Sequence, residues 1–444
     1  MTKHSYLAQY IINTILKKNM RKILGFIEQG FTIISLLIYS GGPLTLIISG
    51  GANQADVEVT YDTSIIRIFY FLIYLVTFFL LLIRWRKVVY ILNQDIFIWI
   101  LTSLAVISIF WSFAPATTLK DGVALVGSSI FGIYLATRYS IKQQLQLLAY
   151  MFSLAIFLSI IFGLLMPHYG IMSDLHTGAW RGIYIHKNAL GARMVTSTIV
   201  FLFLLIDNKK KYLLVGIGFF LGLSIVLLLL SKSTASIVNL VLILIALLIF
   251  KILRLRFILM IPVFICIAIA ATSSSIWLMD NADALLLSIG KNPTLTGRTA
   301  VWEFVWDMIQ KRPWLGYGYG GFWQGWDGES SYIWFSTGWN PTHPHNGLLA
   351  LWLDLGLLGV LIYLIGFWRS LIRVLVWVRL SKTVESFWPV AHLTYIVIAN
   401  ISETTLLSSN SFVWILYISV ACATLTPYKL KVNFHQINSS SSKL

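Results

Sequence analysis

A chain of 444 residues that is 58% hydrophobic, 14% aromatic and only 11% charged, with a mean hydropathy of +0.80, lies outside the range of soluble globular domains. A net charge of +16 would point to nucleic acid in a soluble protein, but here the basic residues sort by loop. That excludes nucleic acid as a partner and makes the chain an all-α polytopic membrane protein.

With about 20 apolar residues per bilayer crossing, roughly twelve transmembrane helices are expected. They lie near 23–49, 63–83, 96–114, 119–137, 144–166, 188–206, 213–231, 235–253, 257–278, 346–367, 388–405 and 411–427. Lys3, Lys17, Lys18, Arg21 and Lys22 precede the first, and Arg84, Arg86 and Lys87 follow the second. Basic residues then recur in every second loop, up to Lys429 and Lys431. By the positive-inside rule those loops and both termini face the cytoplasm. The first span reads as an uncleaved anchor, with no A-x-A-like site after it. Cys266 and Cys422 each sit inside an apolar span, so neither a disulfide framework nor a zinc site is indicated. The tail "INSSSSKL" is of low complexity.

Two loops on the opposite face are long, 167–187 and 279–345. In the second, "TLTGRTAVWEFVWDMIQKRP" predicts an amphipathic helix from Thr299 to Lys311, with Trp302, Val305, Trp306 and Ile309 on one face. Its tryptophans suit a helix lying in the membrane interface, and Pro313 stops it. The next stretch is too rich in glycine for a helix. Its Trp314, Tyr317, Tyr319, Phe322, Trp323 and Trp326 form either an aromatic belt or a platform for stacking sugar rings.

Charges on that face are few. Arg181, Lys187 and Arg193 surround the start of the sixth span, Lys232 ends the seventh, and Arg298 opens the amphipathic helix. His343 and His345 precede the tenth span, and Asn188 and Asn346 occupy N-cap positions. Cations gathered around helix N-termini make an anion site suited to a phosphate or diphosphate, although each cation alone is as readily a lipid-headgroup contact. Arg67 is a further cation without assigned purpose. Asp354, inside the tenth span, needs a partner that the sequence does not name.

His345-Asn346, nine residues, then Gly356-Leu357-Leu358-Gly359 resembles the His-Asn-x9-Gly-x-x-Gly signature of the O-antigen ligase and polymerase superfamily. "RGIYIHKNALG" at 181–191, "LSKSTASI" at 230–237, "GRTAVWEFV" and "RPWLGYGYGGFW" within 297–323, and "NISETTLL" at 400–407 follow in that family's order. "HKN" and "SKS" look most like its exopolysaccharide-production branch. The resemblance divides the chain into N-terminal spans (1–180), a catalytic region (181–410) with the loop 279–345, and a last span with its tail (411–444).

The resemblance implies a fold like that of the C-type glycosyltransferases, in the bacterial inner membrane with a periplasmic active site. The donor would be an undecaprenyl-diphosphate-linked oligosaccharide, with a glycan or lipid acceptor, membrane lipids around it and a chain-length regulator as a further partner. No cofactor and no metal are implied. His345 would act on the acceptor hydroxyl as general base, while Arg181 and Arg298 hold the diphosphate. Arg193 competes with Arg181 for its role, and Lys187 and Lys232 assist. Asn188, Asn346 and Glu403 support the site; Asp327, Glu329 and Glu403 are the other proton acceptors in view. Polymerisation with inversion at the anomeric carbon is the expected reaction. The alternatives are a ligase that transfers glycan to lipid A-core and a transporter of a lipid-linked oligosaccharide or small anion.

Overall fold

Long runs of Leu, Ile, Val and Phe become helices because hydrocarbon offers no partner for backbone N–H and C=O groups. The structure, a computed structural model, describes residues 3–51, 63–173, 176–255 and 298–424. In chain order its helices are α1 (Lys3–Tyr39), α2 (Leu44–Ile48), α3 (Ser64–Ile83), α4 (Trp85–Leu92), α5 (Ile96–Ile107), α6 (Pro115–Arg138), α7 (Ile141–Leu165) and α8 (Pro167–Gly170). Then follow α9 (Lys187–Asp207), α10 (Lys211–Leu230), α11 (Thr234–Lys251), α12 (Arg298–Lys311), α13 (Ser331–Thr337), α14 (Gly347–Leu380), α15 (Phe387–Ala399) and α16 (Phe412–Ala423). The described residues contain no strand, only an isolated bridge between Ile171 and Trp180.

Eight of the described helices are long and apolar enough to cross a membrane, or nine if α4 and α5, bent by 90° across a short break, count as one span. The remaining expected spans have distinct fates. The segment 257–278 lies outside the described residues, and α15 and α16 are shorter apolar helices. The first span, expected to run to 49, ends at Tyr39, where Ser40, Gly41 and Gly42 interrupt the helix before α2.

Contacts divide the chain into two units, each discontinuous in sequence: Met1–Thr63 with Gln143–Lys232, and Ser64–Lys142 with Ser233–Leu444. In the first, α9 packs along α10. Phe201 stacks on Phe220 at 5.7 Å between ring centres, and the Ser197 and Ser224 hydroxyls share a hydrogen bond of 2.7 Å, a polar contact of the kind that joins helices in lipid.

In the second unit, α16 packs on α6, where the Trp414 indole N–H donates to Ser129 Oγ at 3.0 Å. Asp95, at the break between α4 and α5, forms a buried ion pair with Arg373 of α14. The amphipathic helix α12 buries a different face from the one its tryptophans mark. Its buried stripe is Val301, Val305, Met308 and Ile309, which form a core with Tyr317, Phe322, Ile333 and Leu353. The period is helical as expected, but the face is rotated toward Met308, because Tyr317 and Phe322 fold back to cover it. Trp306, 44% exposed, meets Trp352 edge-on at 5.4 Å.

The feature that organises this unit is a break inside α14. Gly356 has φ 65° and ψ −171°, which ends the helical ladder after Leu355. The chain from Pro313 to Gly320 fills the gap. Tyr317 N–H donates to Leu353 O at 2.7 Å, Gly318 N–H to Asp354 O at 3.0 Å, and Leu357 N–H to Pro313 O at 2.7 Å. The Trp352 indole N–H also reaches Pro313 O, at 2.9 Å. The approach is so close that a Cβ on Gly356 would lie 2.1 Å from the Trp314 carbonyl, and one on Gly316 (φ 65°) would lie 2.4 Å from Leu353 O. Glycine is therefore required at both places.

Gly356→Ala is expected to force this segment off the helix, with a destabilisation of about 2 kcal/mol or more. Thermal unfolding of the purified protein checks it. The comparison is Gly222→Ala in α10, where an added Cβ meets nothing within 4 Å and unfolding should hardly move; equal effects of the two substitutions would contradict the account.

Candidate functional site

The start of α14 is built as an N-terminus should be. Asn346 Oδ1 accepts hydrogen bonds from Leu348 N–H and Leu349 N–H at 3.1 Å each, so Asn346 is the predicted cap. His345, just before it, has φ 51°, a conformation uncommon outside glycine that marks functional sites when the surroundings enforce it. The surroundings here do so on three sides. The Trp302 indole N–H donates to Pro344 O at 2.8 Å, which ties α12, one turn after Arg298, to the residue before His345. On the other side Gly347 N–H donates to Asn400 O at 2.9 Å. Against the ring itself lie His343, at 4.1 Å and nearly perpendicular, and Trp339, at 6.1 Å.

Asn400 shows why "NISETTLL" belongs with this helix start. Its Oδ1 accepts from Thr405 N–H at 2.8 Å and Leu406 N–H at 3.1 Å, and its Nδ2 donates to Ile396 O and Thr405 Oγ1 at 2.8 Å each. The turn after α15, which carries half-buried Glu403, is thereby fixed against Gly347, where a Cβ would lie 2.2 Å from Asn400 Oδ1. Arg298 is the first residue of α12, and its side chain lies outside the described residues.

Two of the aromatic candidates are corrected. Tyr317 is 2% and Tyr319 5% exposed. Their hydroxyls donate to Met308 O at 2.9 Å and Leu407 O at 2.5 Å, which leaves no ring face for a sugar. Burial raises the Tyr317 hydroxyl to about 12 and holds the Tyr319 hydroxyl well above its ordinary 10, so both remain protonated donors. Trp323 is half-buried, packed edge-on against Phe322 at 5.1 Å. Trp314 and Trp326 are 68% and 62% exposed and stay open to a ligand. Asp354 finds its partner in the loop: its Oδ1 accepts from Gly320 N–H at 3.2 Å.

The other candidate cations belong to the first unit. Arg181 is 1% exposed, and its guanidinium is committed to main-chain carbonyls: Tyr169 O at 2.7 Å, Gly51 O at 2.6 Å, His168 O at 3.0 Å and Ile185 O at 3.4 Å. An arginine so enclosed stitches loops together, and the expected diphosphate clamp is not its geometry. Arg193 donates from Nε to Ser40 O at 2.9 Å. Lys187 Nζ reaches Lys232 O at 3.4 Å, and Lys232 itself is exposed with φ 50°. Lys187 and Lys232 therefore stand together beside the start of α9.

The cap of α9 is also corrected. Asn188 is inside the helix, and the cap is His186, whose Nδ1 accepts from Asn188 N–H at 3.2 Å. His176 stands edge-on to it at 5.5 Å. Desolvation, then the charges of His176, Lys187 and Arg181, hold the His186 imidazole down to about 4, so it is neutral near pH 7 and able to accept. The same field makes this corner of the unit attractive to an anion. His186, His343 and Asn400 were not singled out in sequence for these roles; His186 precedes a run beginning Lys-Asn, which was the one signal available.

The structure thus brings His345 and His343 together with the start of α12 in one unit, and Lys187, Lys232 and His186 together in the other. A search of curated proteins gives no match. Residues 217–364, about a third of the chain, match the family model described as O-Antigen ligase. That stretch runs from α10 through α12 and His345 to just beyond the Gly356 break. That match supports the resemblance to the O-antigen ligase and polymerase superfamily, membrane enzymes that act on lipid-linked glycans and their acceptors.

Proposed function

We propose that the chain is an integral membrane glycosyltransferase of the bacterial inner membrane that polymerises exopolysaccharide or O-antigen repeat units at the periplasmic face. The donor is an oligosaccharide linked through C1 to undecaprenyl diphosphate. The acceptor is the free end of a second glycan. The supporting observation is the construction around His345: a histidine held in a left-handed conformation at a capped helix start, in a loop tied to the helix that Arg298 opens.

In the reaction the acceptor oxygen attacks C1 opposite the diphosphate, the C1–O bond to phosphate breaks with its electron pair leaving on the diphosphate, and the configuration at C1 inverts. His345 accepts the acceptor's proton as general base. His343, with its ring against His345, positions it. Arg298 stabilises the negative charge that builds on the departing diphosphate. Arg181 acts through structure, by fixing the loop that carries His168 and Tyr169 against Gly51.

A ligase would use the same chemistry with lipid A-core as acceptor. A transporter reading draws on the broken α14, since transport sites favour interrupted helices. The break at Gly356 is filled by the chain's own residues 313–320, which favours transfer.

In cells that supply the lipid-linked donor, His345→Ala is expected to lower polymer formation about 100-fold or more while the protein still inserts. Polymer of normal amount and length would remove His345 from the chemistry. Arg298→Lys should lower transfer about tenfold or more, because an ammonium lacks the guanidinium fork; wild-type turnover would argue against a diphosphate clamp there.

A separate expectation concerns pH. His186 is held at about 4 against an ordinary 6.5, so between these values the unfolded chain binds more protons than the folded one, and stability falls as pH drops through that window. His186→Asn keeps a capping acceptor without the titration, and the melting temperature of that variant should depend less on pH between 6.5 and 4. An unchanged slope would remove His186 as its source.

A further inference from the structure

Beside the core under α12 the loop borders an open cleft of about 530 Å³, within the range of about 300–1,000 Å³ typical of small-molecule sites. Phe113, Gln324, Trp326, Asp327, Glu329 and Tyr332 line it. His345 and Arg298, which carry the proposed proton transfer and diphosphate contact, are not among the lining residues. Its lining is more polar than the apolar surface of the spans: three aromatic side chains, an amide, two carboxylates and the Lys311 ammonium.

The lining is held in place. Trp326 is 62% exposed, yet its ring abuts Trp334 edge-on at 5.3 Å, and the Trp334 indole N–H donates to Pro341 O at 2.8 Å. An exposed indole fixed in this way offers a rigid flat face. Gln324 is oriented from both ends: Thr117 donates to its Oε1 at 3.3 Å, and its Nε2 donates to Gly320 O at 2.8 Å. The Tyr332 hydroxyl donates to Asp307 Oδ2 at 3.0 Å, and Lys311 Nζ sits 4.9 Å from the Tyr332 ring centre, so the one cation at the wall is already engaged with that ring. Neither Asp327 nor Glu329 forms an ion pair among the described residues.

A fixed aromatic face flanked by hydrogen-bond acceptors suits a ligand with a C–H face on one side and a fringe of hydroxyls or amines on its edge. That is the chemistry of a sugar ring. Two unpaired carboxylates repel acidic sugars and attract protonated amines. We propose that this cleft is a saccharide subsite for the end of a short neutral or amino-bearing oligosaccharide, with Trp326 as the stacking face and Asp327 and Glu329 as acceptors. Its assignment to the acceptor rather than the donor rests on the glycosyltransferase reading; the binding itself does not.

The test uses the full chain in phosphatidylcholine nanodiscs, since a maltoside detergent would compete with a sugar. Binding of three trisaccharides is measured by calorimetry: triacetylchitotriose (neutral), chitotriose (amine-bearing) and trigalacturonate (carboxylate-bearing). Chitotriose and triacetylchitotriose are expected to bind at least about tenfold more tightly than trigalacturonate. Trp326→Ala should weaken both by about tenfold without moving thermal unfolding. The pair Asp327→Asn and Glu329→Gln should narrow the gap between amine-bearing and carboxylate-bearing sugars. Equal binding of all three trisaccharides, or unchanged binding by Trp326→Ala, overturns the proposal. Sugar binding that follows this pattern in a protein without transfer activity would retain the subsite and sink the transferase reading; transfer activity without binding of any of the three would do the reverse.

Discussion

Backbone groups released inside a membrane helix must find partners within the protein, and the break at Gly356 sets that problem for α14. Its solution determines the second unit. The segment from Pro313 to Gly320 supplies the missing donors and acceptors on one edge, and with the other it reaches the turn between α5 and α6. Phe113 N–H donates to Tyr317 O at 3.1 Å, the Trp111 indole N–H to Leu315 O at 2.9 Å, and Tyr319 N–H to Ser108 Oγ at 2.9 Å. Tyr317 then closes the core over α12. A loop that would otherwise pay a large ordering entropy is thereby locked to a span, and the cleft and the His345 turn are built on that lock.

The same logic of satisfied polar groups separates cations that hold structure from cations that can hold a ligand. Arg181 and Arg373 are buried, the first among carbonyls and the second on Asp95; loss of either partner set would strand a charge at a cost of several kcal/mol, about 3–5 for a broken buried pair. Lys232 is exposed, and its carbonyl accepts a long contact of 3.4 Å from Lys187 Nζ. Arg181 was the natural choice for a diphosphate ligand by sequence, and by geometry it is a staple. The positive field it contributes to His186 still reaches the start of α9.

What sequence made legible, and what it did not, follows from the kind of atom involved. Apolar spans are written in residue types, so α3, α6, α7, α9, α10 and α11 appear close to the expected limits. The cap at Asn346 was legible too, because an amide before an apolar run has one common use. Arg181 was not, since carbonyls at Gly51, His168, Tyr169 and Ile185 leave no trace in residue identity. Gly356 read as one of two glycines in a continuous helix; its left-handed backbone depends on a segment about 40 residues earlier in the chain, a tertiary override of local pattern. His343 and His345 are two residues apart in sequence, and only the fold of their loop sets the two rings 4.1 Å from each other.

The central claim is that this architecture makes a bond rather than moving a solute. The purified full chain in detergent, given a saccharide linked to a polyprenyl diphosphate and a glycan acceptor, has no compartments to move anything between. The account predicts a lengthened glycan and release of free polyprenyl diphosphate in equal amounts. Absence of both, together with movement of the lipid-linked saccharide across vesicles that contain the same protein, would contradict it.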